Sequence, residues 1–394
     1  MLLLHPLGHG KGVSMVIPNL LFWDESVIIQ DYKAENYRLT SGYRKNVLGQ
    51  KVFLWDPAGR GEFTHHYNPL DHLKSKNLTS SADEIQKIVQ TLVPADSTGA
   101  NDVRLLVAAL ISCVIADETR SATLGEVLRI LSVSDLDRYL ESMSPRLASG
   151  LEWFGQLKIG AFLARTPGEK RAIVNLAIAA LDLWSDPEIN RATSESDFSL
   201  EDFSGHRSTL YVAVHPSDST RLRPLLQIFY QQCISALTLR IEDLKDPPPD
   251  RVGVLMLLDE FGALGKMVSM ENVPKYSRGY RLKICSLVHS LDDLENTCGD
   301  GKVTSALDGY SVIVACCTND RRTAGFLSEL LGDRIVTRAD GSRLQEPLLL
   351  PQEIANLGMQ RELIVFESLA IGCDKIAYYK DPKFSGKVLE PAHS

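Results

Sequence analysis

The sequence predicts an α/β fold with a mostly parallel sheet, interrupted by an inserted all-α domain. Three observations lead there. Short apolar runs alternate with helix-compatible segments near both ends of the chain, the pattern of parallel strands joined by crossover helices. Between them, residues 80–198 carry apolar side chains at helical spacing and almost nothing that reads as strand. The first apolar run opens onto a glycine-rich turn, and the most apolar one ends in two carboxylates, so the chemistry gathers at strand ends.

Taken in order, Met1 to Leu4 is a short buried strand followed by the turn Gly8-His9-Gly10-Lys11-Gly12. The segment GVSMVIPNLLF has helical character, with Pro18 expected to end or bend the helix. SVIIQD (26–31) and KVFLWDP (51–57) are strands, separated by a polar, helix-compatible segment that holds Lys33 and Glu35. ADEIQKIVQTL, NDVRLLVAALISCVIAD, TLGEVLRIL and KRAIVNLAIAALDLW make up the all-α insertion, where Thr123 and Glu126 predict a capping box. The α/β pattern then returns. STLYVAVHP (208–216), VGVLMLLDE (252–260), LKICSLVHS (282–290) and SVIVACCT (311–318) are strands, as are RELIVFES (361–368) and KIAYYKDP (375–382). DLKDPPPDR (243–251) is a proline-rich linker. Residues 1–79 and 199–394 are thus the two parts of an α/β domain, and 80–198 the insertion.

Hydrophobic residues make up 44% and charged residues 23% of the 394, which supports a sizeable core and excludes long disorder. A net charge of -8 argues against coating nucleic acid with the whole surface, while a local basic channel is compatible with it. The seven cysteines form no C-x-x-C pair and no zinc spacing; buried free thiols in a reducing compartment are expected. His65-His66 lacks an accompanying ligand cluster. No run approaches the ~20 apolar residues that cross a bilayer, and MLLLHPLG is too short for a signal peptide.

Glycines at 8, 10 and 12 let the backbone curl so that successive N–H groups face phosphate oxygens, and the helix that follows adds positive potential. Lys11 would neutralise the β- and γ-phosphates. The match to G-x-x-x-x-G-K-[ST] departs at His5, where the first glycine belongs, and at Gly12, which replaces the usual hydroxyl residue. Alone, GHGKG also fits an ordinary glycine turn. VLMLLDE decides between them, because carboxylates ending a buried strand are costly unless they are used. In P-loop ATPases the aspartate holds Mg2+ and the glutamate polarises the attacking water. Gly8, His9, Gly10, Lys11, Gly12 and Val13 are therefore candidate ATP-binding residues, Asp259 a magnesium ligand, and Glu260 the catalytic carboxylate.

GHGKGVSMVIPNLL, IIQDYKAENYRLTSGYR, KVFLWDP and HHYNPLD, in that order, resemble the opening of TraG/TraD-like coupling ATPases of type IV secretion systems. LLDEFGALGKM is similar to that family's Walker B extension. SRGYRLKICSLVHSLDDLE, CTNDRRTAGFLSELLG and EPLLLPQEIANLGMQRELIVFE continue the likeness almost to the end. The resemblance implies a RecA-like P-loop domain, an all-α domain that meets cargo, and ATP with Mg2+ as cofactors. It implies a motor coupling ATP hydrolysis to recruitment and translocation of DNA or protein. The partners it implies are single-stranded DNA or a relaxase–DNA complex, effector proteins, other secretion components, and further copies in a homo-hexamer at the cytoplasmic face of the inner membrane. It makes Arg278, in SRGYR, a candidate arginine finger. It makes His289, where the family carries glutamine, a candidate catalytic contact to the γ-phosphate or its water.

Ala34 replaces the glycine of the family's D-x-K-G-E block. Family members carry a membrane region ahead of the phosphate loop, and this sequence starts only a few residues before it. A truncated product, a misplaced start and a soluble relative are the alternatives. His5 and His289 also keep a second function open, that of a hydrolytically weak docking subunit which recruits cargo through the helical domain. Arg321-Arg322 are expected to be exposed, and Asp31 with Lys33 to form either part of the site or a structural salt bridge. Tyr378-Tyr379 reads as an edge-strand aromatic pair in preference to a base-stacking platform.

Overall fold

The computed structural model describes residues 1–392 except 7, 9, 62, 74–77, 134, 148–150, 239–250, 268–272, 300 and 368, together with the backbone alone at 78–80, 152, 276 and 278. The linker at 243–251 thus falls almost wholly outside the described residues. The strands are β1 (Leu2–Leu4), β2 (Ser26–Tyr32), β3 (Lys51–Trp55), β4 (Ser208–Val214), β5 (Val254–Leu258), β6 (Leu282–Val288), β7 (Val312–Cys316), β8 (Asp333–Thr337), β9 (Arg343–Pro347), β10 (Arg361–Phe366) and β11 (Leu369–Asp374). One sheet runs in the order β11-β10-β7-β1-β6-β5-β2-β4-β3, and β8 and β9 form a separate antiparallel ribbon. The contacts from β7 through β1, β6, β5 and β2 to β4 are parallel, whereas β10 is antiparallel to both β7 and β11. Strands inside such a sheet are covered on both faces and read as continuous apolar runs, as in Leu2–Leu4 and Val254–Leu258.

The chain divides into two compact units. One comprises Met1–Phe53, Glu201–Pro216 and Ile234–Ser394; the other comprises Leu54–Leu200 and Ser217–Cys233. Compared with the expected 80–198 insertion, the second unit starts earlier, ends its first segment at Leu200 and adds Ser217–Cys233. Trp55 and Tyr67 meet Phe229 in tilted and edge-to-face contacts at 4.9 Å and 5.2 Å, so an aromatic cluster draws the segment after Phe53 and part of the helix Ser219–Thr238 into the second unit. At the centre of that unit lies the helix Ala100–Ala116, buried continuously from Leu106 to Val114, with the helices Glu152–Leu163 and Pro167–Leu181 packed against it.

Several local expectations are corrected. Pro18 does not end its helix. A π-helical turn, Gly12–Val16, leads into α1 (Ile17–Phe22), so the missing proline N–H falls where the bonding register changes. Thr123 accepts a hydrogen bond from Glu126 N at 3.0 Å, but Arg120 and Arg129 take the Glu126 carboxylate, leaving half a capping box. β11 occupies Leu369–Asp374 instead of 375–382, because the chain reverses at Glu367 (φ 53°) and pairs straight back along β10. His65 bonds the backbone of Leu54 and His66 meets Asp197, and no metal-holding group of His, Cys, Asp or Glu occurs among the described residues. None of the seven cysteines, all among the described residues, forms a disulfide, and all are buried except Cys373, which is half-buried.

α2 (Glu35–Asn46) fixes the other side of the phosphate-loop helix. Ala34 at its start has no capping side chain. Asp31, at the end of β2, substitues by accepting from Asn36 N and Nδ2 and from Tyr37 N at 3.1, 3.0 and 2.8 Å. The buried Arg44 guanidinium donates to Thr209 Oγ1 and to the Leu20, Trp23 and Glu25 carbonyls, which ties α2 to β4 and to the α1–β2 connection. Beyond β11 the chain leaves the sheet and lies over α1 and α2, with Phe384 buried against Ile17 and Leu21.

Candidate active site

Because β6 is inserted between β1 and β5, the carboxyl ends of three strands meet at one edge of the sheet. Leu4 lies opposite Val288, and Leu258 opposite Ser286. The residues just past those ends therefore converge. Lys11, on the loop after β1, has its Nζ 2.8 Å from Asp259 Oδ1 and also donates to Glu260 Oε1. His289, one residue past β6, directs Nε2 at the other Glu260 oxygen, 2.5 Å away. Its Nδ1 faces the His5 carbonyl at 3.0 Å, and its backbone N–H is held by Asp293 Oδ2 at 3.0 Å. Beside its ring is a cavity of about 180 Å³ lined by Pro6, Cys317, Thr318, Asn319 and Asp320, room for several waters.

The protonation states follow from the partners. Burial raises the Glu260 carboxyl, but hydrogen bonds from His289 and Lys11 outweigh it and hold the group down to about 2. An ionised carboxylate and a carbonyl oxygen only accept, so both His289 ring nitrogens donate and the ring is an imidazolium. The Glu260 contact accordingly lifts the His289 pKa above its ordinary value, against the opposing effect of burial. Burial likewise disfavours the Lys11 ammonium, and Asp259 and Glu260 reverse this and raise it. For Asp259 the balance goes the other way: burial dominates and raises its carboxyl in spite of Lys11. Asp31, beside it on β2, is buried and raised to about 7, mainly by desolvation.

Glu260 has a left-handed backbone, φ 54°, that aims its side chain back at the loop. Gly8 and Gly10 also have positive φ, +77° and +81°, a conformation that glycine adopts without steric cost. Val13 lies half-buried in the π turn. His9 lies outside the described residues. Arg278 falls on the turn Ser277–Tyr280, and its side chain lies outside the described residues. Arg322 is exposed and paired with Asp292 and Glu295. Asp31 binds the start of α2 in place of a Lys33 salt bridge. Sequence reasoning missed the roles of the His5 carbonyl and of Asp293. The signal for Asp293 was present, since it stands four residues after His289 in the first turn of the helix Leu291–Cys298.

A loop strand and an acid-ending strand separated by a third strand, with a glycine loop facing the acids, define a RecA-like P-loop fold that here carries an all-helical unit. The chain belongs to the type IV secretory system conjugative DNA transfer family, whose model matches residues 1–394. It is similar to protein VirD4 of Agrobacterium fabrum, 29% identical over 405 residues, covering 96% of this chain and 58% of that protein. It is also similar to the conjugal transfer protein TraG of Escherichia coli, 26% identical, covering 98% of this chain and 68% of that one. The chain thus spans less than three fifths of the VirD4 length. Among solved structures, the plasmid coupling protein TrwB in complex with ADP and Mg2+ aligns with a TM-score of 0.73 at 18% identity, covering 99% of this chain and 88% of that one. VirB4 of Thermoanaerobacter pseudethanolicus aligns with a TM-score of 0.57 at 12% identity, covering 97% and 90%. At such identities the likeness speaks for the fold.

Proposed function

We propose that this chain binds ATP with Mg2+ at Gly8–Val13 and hydrolyses it as the motor of a type IV conjugative transfer system, recruiting and moving DNA or protein cargo. The observation that carries the reading is the convergence of Lys11, Asp259, Glu260 and His289 at the carboxyl edge of the sheet. The residues present suit the ligands. A Cβ added at Gly8, Gly10 or Gly12 would meet nothing within 4 Å, which leaves the loop open to phosphates. The Asp259 carboxylate is a hard oxygen donor of the kind Mg2+ takes. The TrwB structures include complexes with ADP and Mg2+ and with ATP and GTP analogues, which supports the same cofactors here.

Each residue then has a distinct task. Lys11 carries the positive charge that meets the β- and γ-phosphates. Asp259 is the carboxylate that would hold the metal, and the metal when bound withdraws charge from the phosphate oxygens. Glu260 accepts the proton of the attacking water. His289 fixes the Glu260 carboxylate through Nε2–H and is itself fixed by the His5 carbonyl. Arg278 is assigned to the γ-phosphate of a neighbouring copy in a homo-hexamer, which would stand with other secretion components at the cytoplasmic face of the inner membrane. No described helix is long and apolar enough to cross a membrane. Single-stranded DNA, a relaxase–DNA complex and effector proteins are the cargo classes. The intact Lys11, Asp259 and Glu260 constellation supports hydrolysis over a docking role alone.

Glu260→Gln tests the reading. The amide keeps the shape and cannot serve as a base, so the variant should bind a fluorescent ATP analogue as the wild type does and lose steady-state phosphate release. Turnover at the wild-type rate removes Glu260 from the chemistry.

A further inference from the structure

Tyr378 and Tyr379 belong to no strand. They sit just past β11, where the chain leaves the sheet to lie over α1 and α2. We infer that the Tyr379 ring is the platform on which the purine base of the bound nucleotide stacks. The inference rests on the nucleotide reading above and adds a base subsite to it.

Position is the first argument. Tyr378 packs against the cluster formed by Phe384 with Ile17 and Leu21 of α1, the helix whose leading turn begins at Gly12. Ile17 follows Gly12 by five residues, at most about 7 Å along the axis at the α-helical rise and less through the wider π turn. That offset matches the reach of an α-phosphate and ribose, so a nucleotide with its phosphates on the loop would bring its base beside this pair. Glu35, at the start of α2 near the carboxyl end of β2, acts electrostatically on the Tyr378 hydroxyl, which sets the pair at the same edge as the loop.

Presentation is the second. Tyr378 is partly buried and braces Tyr379 in a T-shaped contact, with centroids 5.5 Å apart and rings at 85°. Tyr379 itself is 65% exposed, a large aromatic surface that folding leaves uncovered. Lys380 Nζ lies 5.8 Å from the Tyr379 ring centroid, a cation beside the platform.

Rigidity is the third. The segment after the pair is pinned at several points. Phe384 is buried and meets Phe22 edge-on at 5.1 Å. Lys387 Nζ donates to Leu21 O at 3.4 Å, Ala392 N to Ser41 Oγ at 2.9 Å, and the Tyr37 hydroxyl to Ala392 O. A ring presented from an anchored backbone loses little freedom on stacking. Stacking on a ring face tolerates any purine, so ATP and GTP should bind alike.

The experiment is calorimetric titration of the full chain with Mg2+–ATP and with Mg2+–tripolyphosphate, which carries the phosphates and no base. Tyr379→Ala should weaken ATP roughly tenfold or more and leave tripolyphosphate unchanged, while Tyr379→Phe restores ATP binding. Tyr379→Trp should bind ATP and have its fluorescence quenched by ATP but not by tripolyphosphate. ATP affinity within twofold in Tyr379→Ala, equal weakening of both ligands, or an unquenched tryptophan overturns the proposal. So does loss of single-stranded DNA binding with ATP affinity intact, which would give the ring to nucleic acid. A wild type that binds neither ligand sinks the nucleotide reading itself, a separate and recognisable failure.

Discussion

Lys11→Ala perturbs the site at its centre, because one ammonium faces both carboxylates. Side-chain exposure is 18% for Lys11, 12% for Asp259 and 23% for Glu260, so the group is desolvated but not sealed. Breaking a fully buried pair costs about 3–5 kcal/mol, and an exposed one about 0–1. An intermediate loss of roughly 2 kcal/mol is expected on this scale. Glu260 keeps His289 in the variant, so most of the loss falls on Asp259, whose carboxyl burial already raises. The pH dependence then has a definite sign. Without Lys11 the Asp259 pKa rises further. The destabilisation is complete above that raised value and fades as the pH falls through it, because a protonated Asp259 no longer needs the cation. Urea unfolding of both proteins at about pH 4 and about pH 8 reads this, with the larger gap expected at the higher pH. A fluorescent ATP analogue should fail to bind the variant. A gap that is absent, or the same at both pH values, refutes the coupling; unchanged analogue affinity in the folded variant refutes the phosphate loop.

His289→Gln should flatten the pH dependence of stability and turnover. The raised His289 pKa gives stabilisation present below the ordinary value of 6.5 and lost as pH climbs through the raised one, so the wild-type advantage should close in the neutral-to-alkaline range; a gap independent of pH counts against the imidazolium. For Arg278, mixing inactive Arg278→Ala with inactive Glu260→Gln chains should restore part of the ATPase activity, and no recovery in demonstrably mixed assemblies rejects a shared site. Ala34→Gly should stabilise the chain by about 1 kcal/mol, since alanine at φ 53° bears the left-handed penalty that glycine avoids; thermal melting that is unchanged or lowered would contradict this.

What was legible in the sequence tracks burial. β1, β2, β5, β6 and β7 are covered on both faces, and their apolar runs announce them. The β8–β9 ribbon was invisible for the opposite reason. DRIVT and RLQEP are mostly exposed, so no one-sided hydrophobic pattern marks them. β11 was displaced because LAIGCD and KIAYYKDP have comparable strand character, and only the reversal at Glu367 selects the first. The residue types of the site were readable, but the Glu260–His289 contact was not. It depends on β6 lying between β1 and β5, a matter of sheet order that local patterns do not encode.

That sheet order also accounts for two departures from the family pattern together. His5, in place of the first loop glycine, has its side chain buried, while its carbonyl accepts from His289 Nδ1. His289, in place of glutamine, brings two ring N–H donors where an amide brings donors from one nitrogen only. One donor is spent on Glu260. The other points back toward β1 and needs an acceptor, and the register that sets Leu4 opposite Val288 puts the His5 carbonyl there. An imidazolium without that second acceptor would bury an unsatisfied N–H at a cost of about 1–3 kcal/mol. The contribution from residue 5 to this contact comes from its backbone carbonyl. The two histidines are therefore one contact, made by strand register, and Glu260 still meets Lys11 beside it.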